Sequence, residues 1–125
     1  MAQGRGNANR GLEVGLAILC VLALAQTAFS ATYTVGGSSG WTYNAINWPR
    51  GKTFRAGDVL VFKYNRSLHN VVKVSGTGYN ACTTGGARAY QTGQDVFKLT
   101  RGTHYFICSL PGHCKSNMKI AVKVY

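Results

Sequence analysis

The stretch Cys108-Ser-Leu-Pro-Gly-His113-Cys114-Lys-Ser-Asn-Met118 is the most informative part of this 125-residue chain. It offers a thiol, an imidazole and a thioether, with four residues between each potential donor and the next. A thiolate and a weak thioether beside an imidazole suit copper better than zinc or a hard cation. The stretch is therefore predicted to be a metal-binding loop.

The site needs a second imidazole, and His69 supplies it at the head of the apolar run His69-Asn-Val-Val-Lys-Val74. Two histidines, one cysteine and a distant methionine form the trigonal set of a type 1 (blue) copper site, in which the thioether is a long axial ligand. Zinc is less favoured, because closed zinc sites are built from cysteine and histidine. The donor set predicts a small protein that carries single electrons on one Cu(II)/Cu(I) ion.

The first thirty residues are predicted to be a secretory signal peptide. Arg5 and Arg10 precede the apolar run 14–25, and the small residues of Ala28-Phe-Ser30 suit cleavage between Ser30 and Ala31. The run is shorter than the roughly 20 apolar residues that span a bilayer. We expect residues 31–125 to be one soluble, secreted, monomeric domain without a membrane anchor.

The predicted mature domain is strongly basic. The whole chain has a formal charge of +11. The leader contains Arg5, Arg10 and Glu13, so residues 31–125 keep twelve Lys and Arg residues against Asp58 and Asp95, a formal charge of +10. Basic chains often bind nucleic acid, but secretion argues against that partner. An acidic cell-wall polysaccharide, an acidic protein or an anionic surface is the expected counterpart.

Three cysteines remain once Cys20 leaves with the leader, an odd number for a secreted domain. Sequence alone permits three pairings among Cys82, Cys108 and Cys114. The spacing favours Cys108 as the metal thiolate, which would leave Cys82 and Cys114 to form a disulfide worth about 3–4 kcal/mol. The alternative is a free, buried Cys108 without metal.

Short β-prone segments separated by turn signals run through the mature chain, and no long helical period is present. They span residues 31–35, 59–64, 69–74, 94–99, 103–108 and 118–125. In the last segment Met118, Ile120, Val122 and Val124 share one face. Residues 76–86, rich in glycine and threonine, are predicted to be an irregular loop. The pattern indicates an all-β sandwich with antiparallel, Greek-key-like connections.

Further residues have predicted roles around this site. Asn70 is expected to brace the cysteine loop from behind the ligands. Leu110-Pro111-Gly112 should form an apolar collar around His113, whose exposed edge is the expected exit for the electron and docking place of a redox partner.

Three other positions have simpler interpretations. Asn65-Arg-Ser67 fits the acceptor pattern for N-glycosylation. Trp41 and Trp48 are expected to pack in the core and at its edge. His104, four residues before Cys108, is expected to be a hydrogen-bonded structural residue.

His69-Asn70-Val71 and Cys108 to Met118 resemble the copper motifs of the phytocyanins, the plant members of the cupredoxins. The segments Phe54–Asp58 and Phe62–Asn65 resemble this family too, and plantacyanins are most similar, since stellacyanin-like relatives carry glutamine in place of Met118. The resemblance implies a cupredoxin-like Greek-key β-sandwich of about seven to eight strands. It also implies copper ligands at His69, Cys108, His113 and Met118, and a Cys82–Cys114 disulfide.

Two other functions compete with electron transfer as interpretations of this sequence. The resemblance permits an extracellular, cell-wall-associated interaction or signalling protein of the pollen–pistil type, in which copper is structural or incidental. An enzyme is disfavoured, because four protein donors leave no open position on the metal and Cys108 has no surroundings that would activate a nucleophile.

Overall fold

The computed structural model describes residues 29–125. The predicted signal peptide lies outside the described residues, apart from Phe29 and Ser30. Within residues 29–125, no helix has the length and apolar character that crossing a membrane requires.

The described residues form seven strands in two sheets, which confirms the all-β prediction. The first sheet has the order β1-β2-β5 and the second the order β4-β3-β6-β7. The strands are β1 Thr32–Thr34, β2 Val59–Lys63, β3 Val71–Val74, β4 Ala89–Tyr90, β5 Gln94–Lys98, β6 Gly102–Ile107 and β7 Lys119–Val124.

Strand pairing is antiparallel except between β1 and β2, which are parallel. The expectation of antiparallel connections therefore fails for this pair. A parallel pair needs a long crossover, and residues 35–58 provide one. Two single-turn 3-10 helices, Gly37–Ser39 and Ala45–Asn47, lie within this crossover. Residues 35–58 contain one isolated bridge, between Phe54 and Val124, and no strand that pairs with β1.

The core lies between the sheets and includes the predicted face of β7. Met118, Ile120, Val122 and Val124 are all buried, as the alternation predicts. Trp41 is fully buried edge-on against Phe62, with ring centroids 5.0 Å apart, whereas Trp48 is partly buried at the edge of the core.

Residues 76–86 contain a short helix, α1 Gly76–Ala81, so the prediction of an irregular loop is wrong there. The Ser75 hydroxyl caps it by accepting a hydrogen bond from the Gly78 N–H at 3.1 Å. Cys82, in a left-handed conformation with φ 56°, ends it. The helix has fewer than two turns and hence no amphipathic period for the sequence to display.

Candidate metal centre

Three predicted donors meet at one end of the sandwich. The ligand atoms of His69, Cys108 and His113 all lie within 4.8 Å of one another. The Nδ1 atoms of the two histidines are 3.1 Å apart, and Cys108 Sγ is 3.4 Å from His113 Nδ1. Imidazole nitrogens bind zinc-like ions at about 2.0 Å, so two at a near-tetrahedral angle stand about 3.3 Å apart. The spacing fits a shared small ion.

The backbone closes the ligand loop on itself. Cys108 directly follows β6, and Met118 directly precedes β7. The Cys108 N–H donates to the Met118 carbonyl at 3.0 Å, and the Met118 N–H donates to the His113 carbonyl at 3.1 Å. The ends of the loop are therefore fixed by the pairing of β6 with β7, and the spacing of the donors follows from that register.

Met118 is fully buried and belongs to the same core cluster as Cys108. Met118 directly precedes β7 and alternates with the buried Ile120 and Val122, which places its thioether among apolar side chains. A thioether is a weak, soft donor that suits the long axial position of a copper site.

Asn70 connects the β3 side of the site to the cysteine loop. Its Nδ2 donates to Ser109 Oγ at 2.8 Å, and its Oδ1 accepts from the Ser109 N–H at 2.8 Å. Asn70 is buried, and its own carbonyl accepts the indole N–H of Trp41 at 2.9 Å. These bonds hold Ser109, which follows Cys108, against Asn70, which follows His69.

The Cys82–Cys114 disulfide is present, with Cα atoms 5.7 Å apart, and Cys108 is free and buried. This confirms the predicted pairing. Cys114 directly follows His113 and packs against Val72 and Ile107. The bond therefore ties the middle of the ligand loop, next to His113, to the end of α1.

A family profile described as "Plastocyanin-like domain" matches residues 40–118. The chain belongs to this family. Among its relatives, chemocyanin of Lilium longiflorum is 53% identical over 123 residues, and a basic blue protein of Arabidopsis thaliana is 52% identical over 126 residues. Each alignment covers 98% of this chain and 98% of the relative. The predicted resemblance to plantacyanin-type phytocyanins is confirmed.

Solved structures place this phytocyanin in the same fold. Cucumber basic protein, a blue copper protein, matches with a TM-score of 0.74 and 56% identity, over 76% of this chain and 100% of that chain. Spinach plantacyanin matches with a TM-score of 0.68 and 56% identity over the same shares. The cupredoxin-like sandwich predicted from the sequence is thereby confirmed.

Tyr43 is a residue of the site that the sequence did not reveal. Its hydroxyl lies 3.0 Å from His113 Nε2, and its ring lies 5.0 Å from the His113 ring and 5.4 Å from the His69 ring. The N–H groups of Asn44 and Ile46 donate to the Ser116 and Asn117 carbonyls, which draws this crossover segment onto the ligand loop. These contacts are long-range, and no local pattern signals them.

The histidines of this phytocyanin differ in their surroundings. Burial lowers the pKa of His69 below its usual 6.5, and the neighbouring His113 lowers it further. His69 therefore favours the neutral imidazole that binds a metal.

His104 has the structural role expected of it. It is buried, and its Nε2 lies 2.6 Å from the Thr100 carbonyl oxygen, to which it donates. Although it shares a strand with the approach to Cys108, it is not part of the donor cluster among the described residues.

The collar around His113 is uneven. Leu110 and His113 are partly buried, while Pro111 and Gly112 are exposed. The Tyr43 side chain is 46% exposed and holds the outward nitrogen of His113, so the edge of that ring is not freely presented to solvent.

Proposed function

We propose that this phytocyanin carries single electrons on one type 1 copper ion, which His69, Cys108, His113 and Met118 would hold. The observation that carries the proposal is the assembly of a buried thiol and two imidazoles within 4.8 Å of one another. Copper bound there supplies a one-electron Cu(II)/Cu(I) couple.

The chain contributes a donor set that is fixed before the electron arrives. The hydrogen bonds from Asn70 to Ser109, the pairing of Cys108 with Met118 and the disulfide at Cys114 restrict each part of the ligand loop. A set held this firmly changes little between oxidation states, which keeps the reorganisation cost of electron transfer low. This favours the redox role over a signalling protein in which copper is incidental.

The proposal includes no catalysis. A copper ion here would be held by the two imidazoles, the Cys108 thiolate and the Met118 thioether, which would leave no position for a substrate. We propose instead that a redox partner docks at the apolar surface around His113. Leu68, 56% exposed, and Pro111 lie on segments that flank the ligands, and Tyr43 stands between His113 and solvent. Nucleic acid is not a proposed partner.

Secretion of the domain as a monomer is also proposed, on the predicted leader and on relatives that are plant phytocyanins. Asn65 is exposed, which suits its use as a glycan acceptor. Mass spectrometry of the secreted protein should give Ala31 as the first residue. A mature chain that retains residues 14–25 would contradict cleavage.

Optical and spin-resonance spectra of residues 31–125 reconstituted with Cu(II) test the proposed centre. An intense thiolate-to-copper band is expected in the visible region and is lost in Cys108→Ser. His104→Gln is the matched control, since His104 lies outside the cluster, and it should keep the band. A coloured Cys108→Ser protein, or a wild-type domain that takes up no copper, would overturn the proposal.

A further inference from the structure

A cavity of about 280 Å³ opens beside the outward face of β7, between that strand, the crossover segment and α1. Three exposed cations line it, Arg50, Lys52 and Lys123. Aromatic rings share the lining, Phe54, Tyr79 and Tyr125. We call this set of six residues the basic cleft. None of them belongs to the metal centre.

The concentration of charge in the basic cleft is not a general property of this surface. Another cavity, of about 290 Å³, is lined by residues 36–48 and contains no charged side chain. A third, of about 280 Å³, lies along the ligand loop and contains Lys115 as its single charged residue. Cavities of similar size therefore carry three, none and one cation.

The carboxylate side chains of residues 29–125 are used elsewhere. Asp58 accepts hydrogen bonds from the Ala31 and Arg55 N–H groups, and Asp95 accepts from Thr92 and Tyr64. Neither lines the basic cleft. The Tyr125 carbonyl oxygen accepts a hydrogen bond from the Ala56 N–H at 3.0 Å. The cleft thus keeps a net positive charge.

Two of the cations are held in place before any ligand arrives. Lys52 Nζ donates to the Trp48 carbonyl at 2.9 Å and stands 5.0 Å from the centre of the Trp48 ring. Lys123 Nζ stands 5.3 Å from the centre of the Tyr125 ring. Each ammonium group has N–H donors left over, and holding it against an aromatic face reduces the side-chain entropy lost on binding.

We propose that the basic cleft binds a segment of an acidic, carboxylate-bearing polysaccharide. Arg50 presents a planar fork that matches a carboxylate, and Lys52 and Lys123 supply point charges for neighbouring carboxylates. The apolar lining suits the C–H face of a sugar ring, and the Tyr79 hydroxyl is a hydrogen-bond donor for sugar hydroxyls. A volume of this size is at the lower end for ligand pockets and suits one or two sugar rings.

Titration calorimetry of the copper-loaded protein with polygalacturonate oligomers tests the site. The triple variant Arg50→Gln/Lys52→Gln/Lys123→Gln should bind at least about tenfold more weakly, because charged hydrogen bonds are lost. The matched control is Lys63→Gln/Arg66→Gln/Lys98→Gln. It also removes three positive charges, but from exposed positions outside the cleft. It should weaken binding by less than about threefold.

Equal losses in the two triple variants would mean that net charge alone attracts the polymer, and would overturn the site. Unchanged binding by the cleft variant would do the same. Lys52→Arg/Lys123→Arg keeps the charges and should bind like wild type; a loss as large as that of the neutral variant would assign the effect to altered packing. Equally tight binding of single-stranded RNA would overturn the carbohydrate class. The blue absorbance should be unchanged in all variants, which separates this test from that of the copper site.

Discussion

His113 uses its two ring nitrogens for different purposes. Nδ1 faces Cys108 and His69, whereas Nε2 lies 3.0 Å from the Tyr43 hydroxyl. A metal-binding histidine commonly donates its other N–H to a neighbouring acceptor, which fixes the tautomer and raises the basicity of the ligating nitrogen. With a metal on Nδ1, the Nε2 proton of His113 would be donated to the Tyr43 oxygen, so a residue about seventy positions upstream would position the imidazole.

Tyr43→Phe should therefore weaken copper binding by about tenfold and raise the reduction potential. The less basic imidazole stabilises Cu(II) less, while the retained ring keeps its packing. The free energy of unfolding should change by less than about 1 kcal/mol. Competition titration, voltammetry and urea unfolding measure the three quantities. Tyr33→Phe, which removes a hydroxyl that donates to Thr53 at 3.3 Å, is the control and should leave the potential unchanged.

Asn70→Ala should lower the free energy of unfolding by about 1–3 kcal/mol, because the N–H and the hydroxyl of Ser109 both lose their partly buried hydrogen bonds to the Asn70 side chain. The bond network around the thiolate also loosens, and copper should dissociate faster. Urea unfolding and chelator-induced bleaching measure the two effects. The exposed Asn80 gives the comparison, since Asn80→Ala should alter neither; equal behaviour of the two variants would contradict the bracing role.

At the scale of single elements, β7 and α1 differ in how far the sequence predicts them. The alternation in β7 predicts both the strand and the burial of Met118, because burial on one face leaves a period of two in the sequence. For α1 the stabilising features are one hydroxyl cap and the disulfide that joins Cys82 to Cys114 of the ligand loop. Neither leaves a repeating pattern, and the glycines argued against a helix.

Gly78→Ala should destabilise α1 and the whole domain by about 1–3 kcal/mol. A β-carbon added at this buried position would stand 2.6 Å from the Thr83 carbonyl oxygen and 3.1 Å from Val74 Cβ. Thermal unfolding of the apoprotein measures the loss. Thr77→Ala, at an exposed position of the same helix, should change stability little; a Gly78→Ala protein as stable as wild type would show that the backbone there yields easily.

At the scale of the whole molecule, Tyr64 joins the two sheets. Its hydroxyl donates to Asp95 at the edge of β2 and β5, and lies 3.1 Å from the carbonyl oxygen of Tyr90 in β4. Burial, together with the bond to Asp95, raises the pKa of Tyr64 to about 12. The folded state therefore holds this proton more tightly than the unfolded chain does.

The sign of the pH dependence follows. Because the folded pKa of Tyr64 is raised, its contribution to stability is fully present below pH 10 and is lost as the pH rises towards about 12. An alkaline absorbance titration of the folded protein should show one tyrosine that ionises only at high pH, and this ionisation should be missing in Tyr64→Phe. The stability of that variant should fall less steeply above pH 10. A Tyr64→Phe protein with the wild-type titration curve would contradict the assignment.

The donor loop and its spacing were predictable because Cys108, His113 and Met118 are close in sequence. The contacts that complete the metal centre were harder to predict from the sequence. The Tyr43 hydroxyl bond and the parallel pairing of β1 with β2 both depend on the crossover of residues 35–58, whose path is set by tertiary contacts. For the same reason the basic cleft, which gathers residues from three segments, has no linear signature.

The single bridge between Cys82 and Cys114 also bears on how the chain matures. During oxidative folding three thiols compete, and two of the three possible cross-links would consume the sulfur of Cys108. Those isomers would emerge colourless whatever copper were added. The visible absorbance of a freshly folded, copper-loaded preparation would thus report directly on correct disulfide formation, without proteolytic mapping or mass spectrometry.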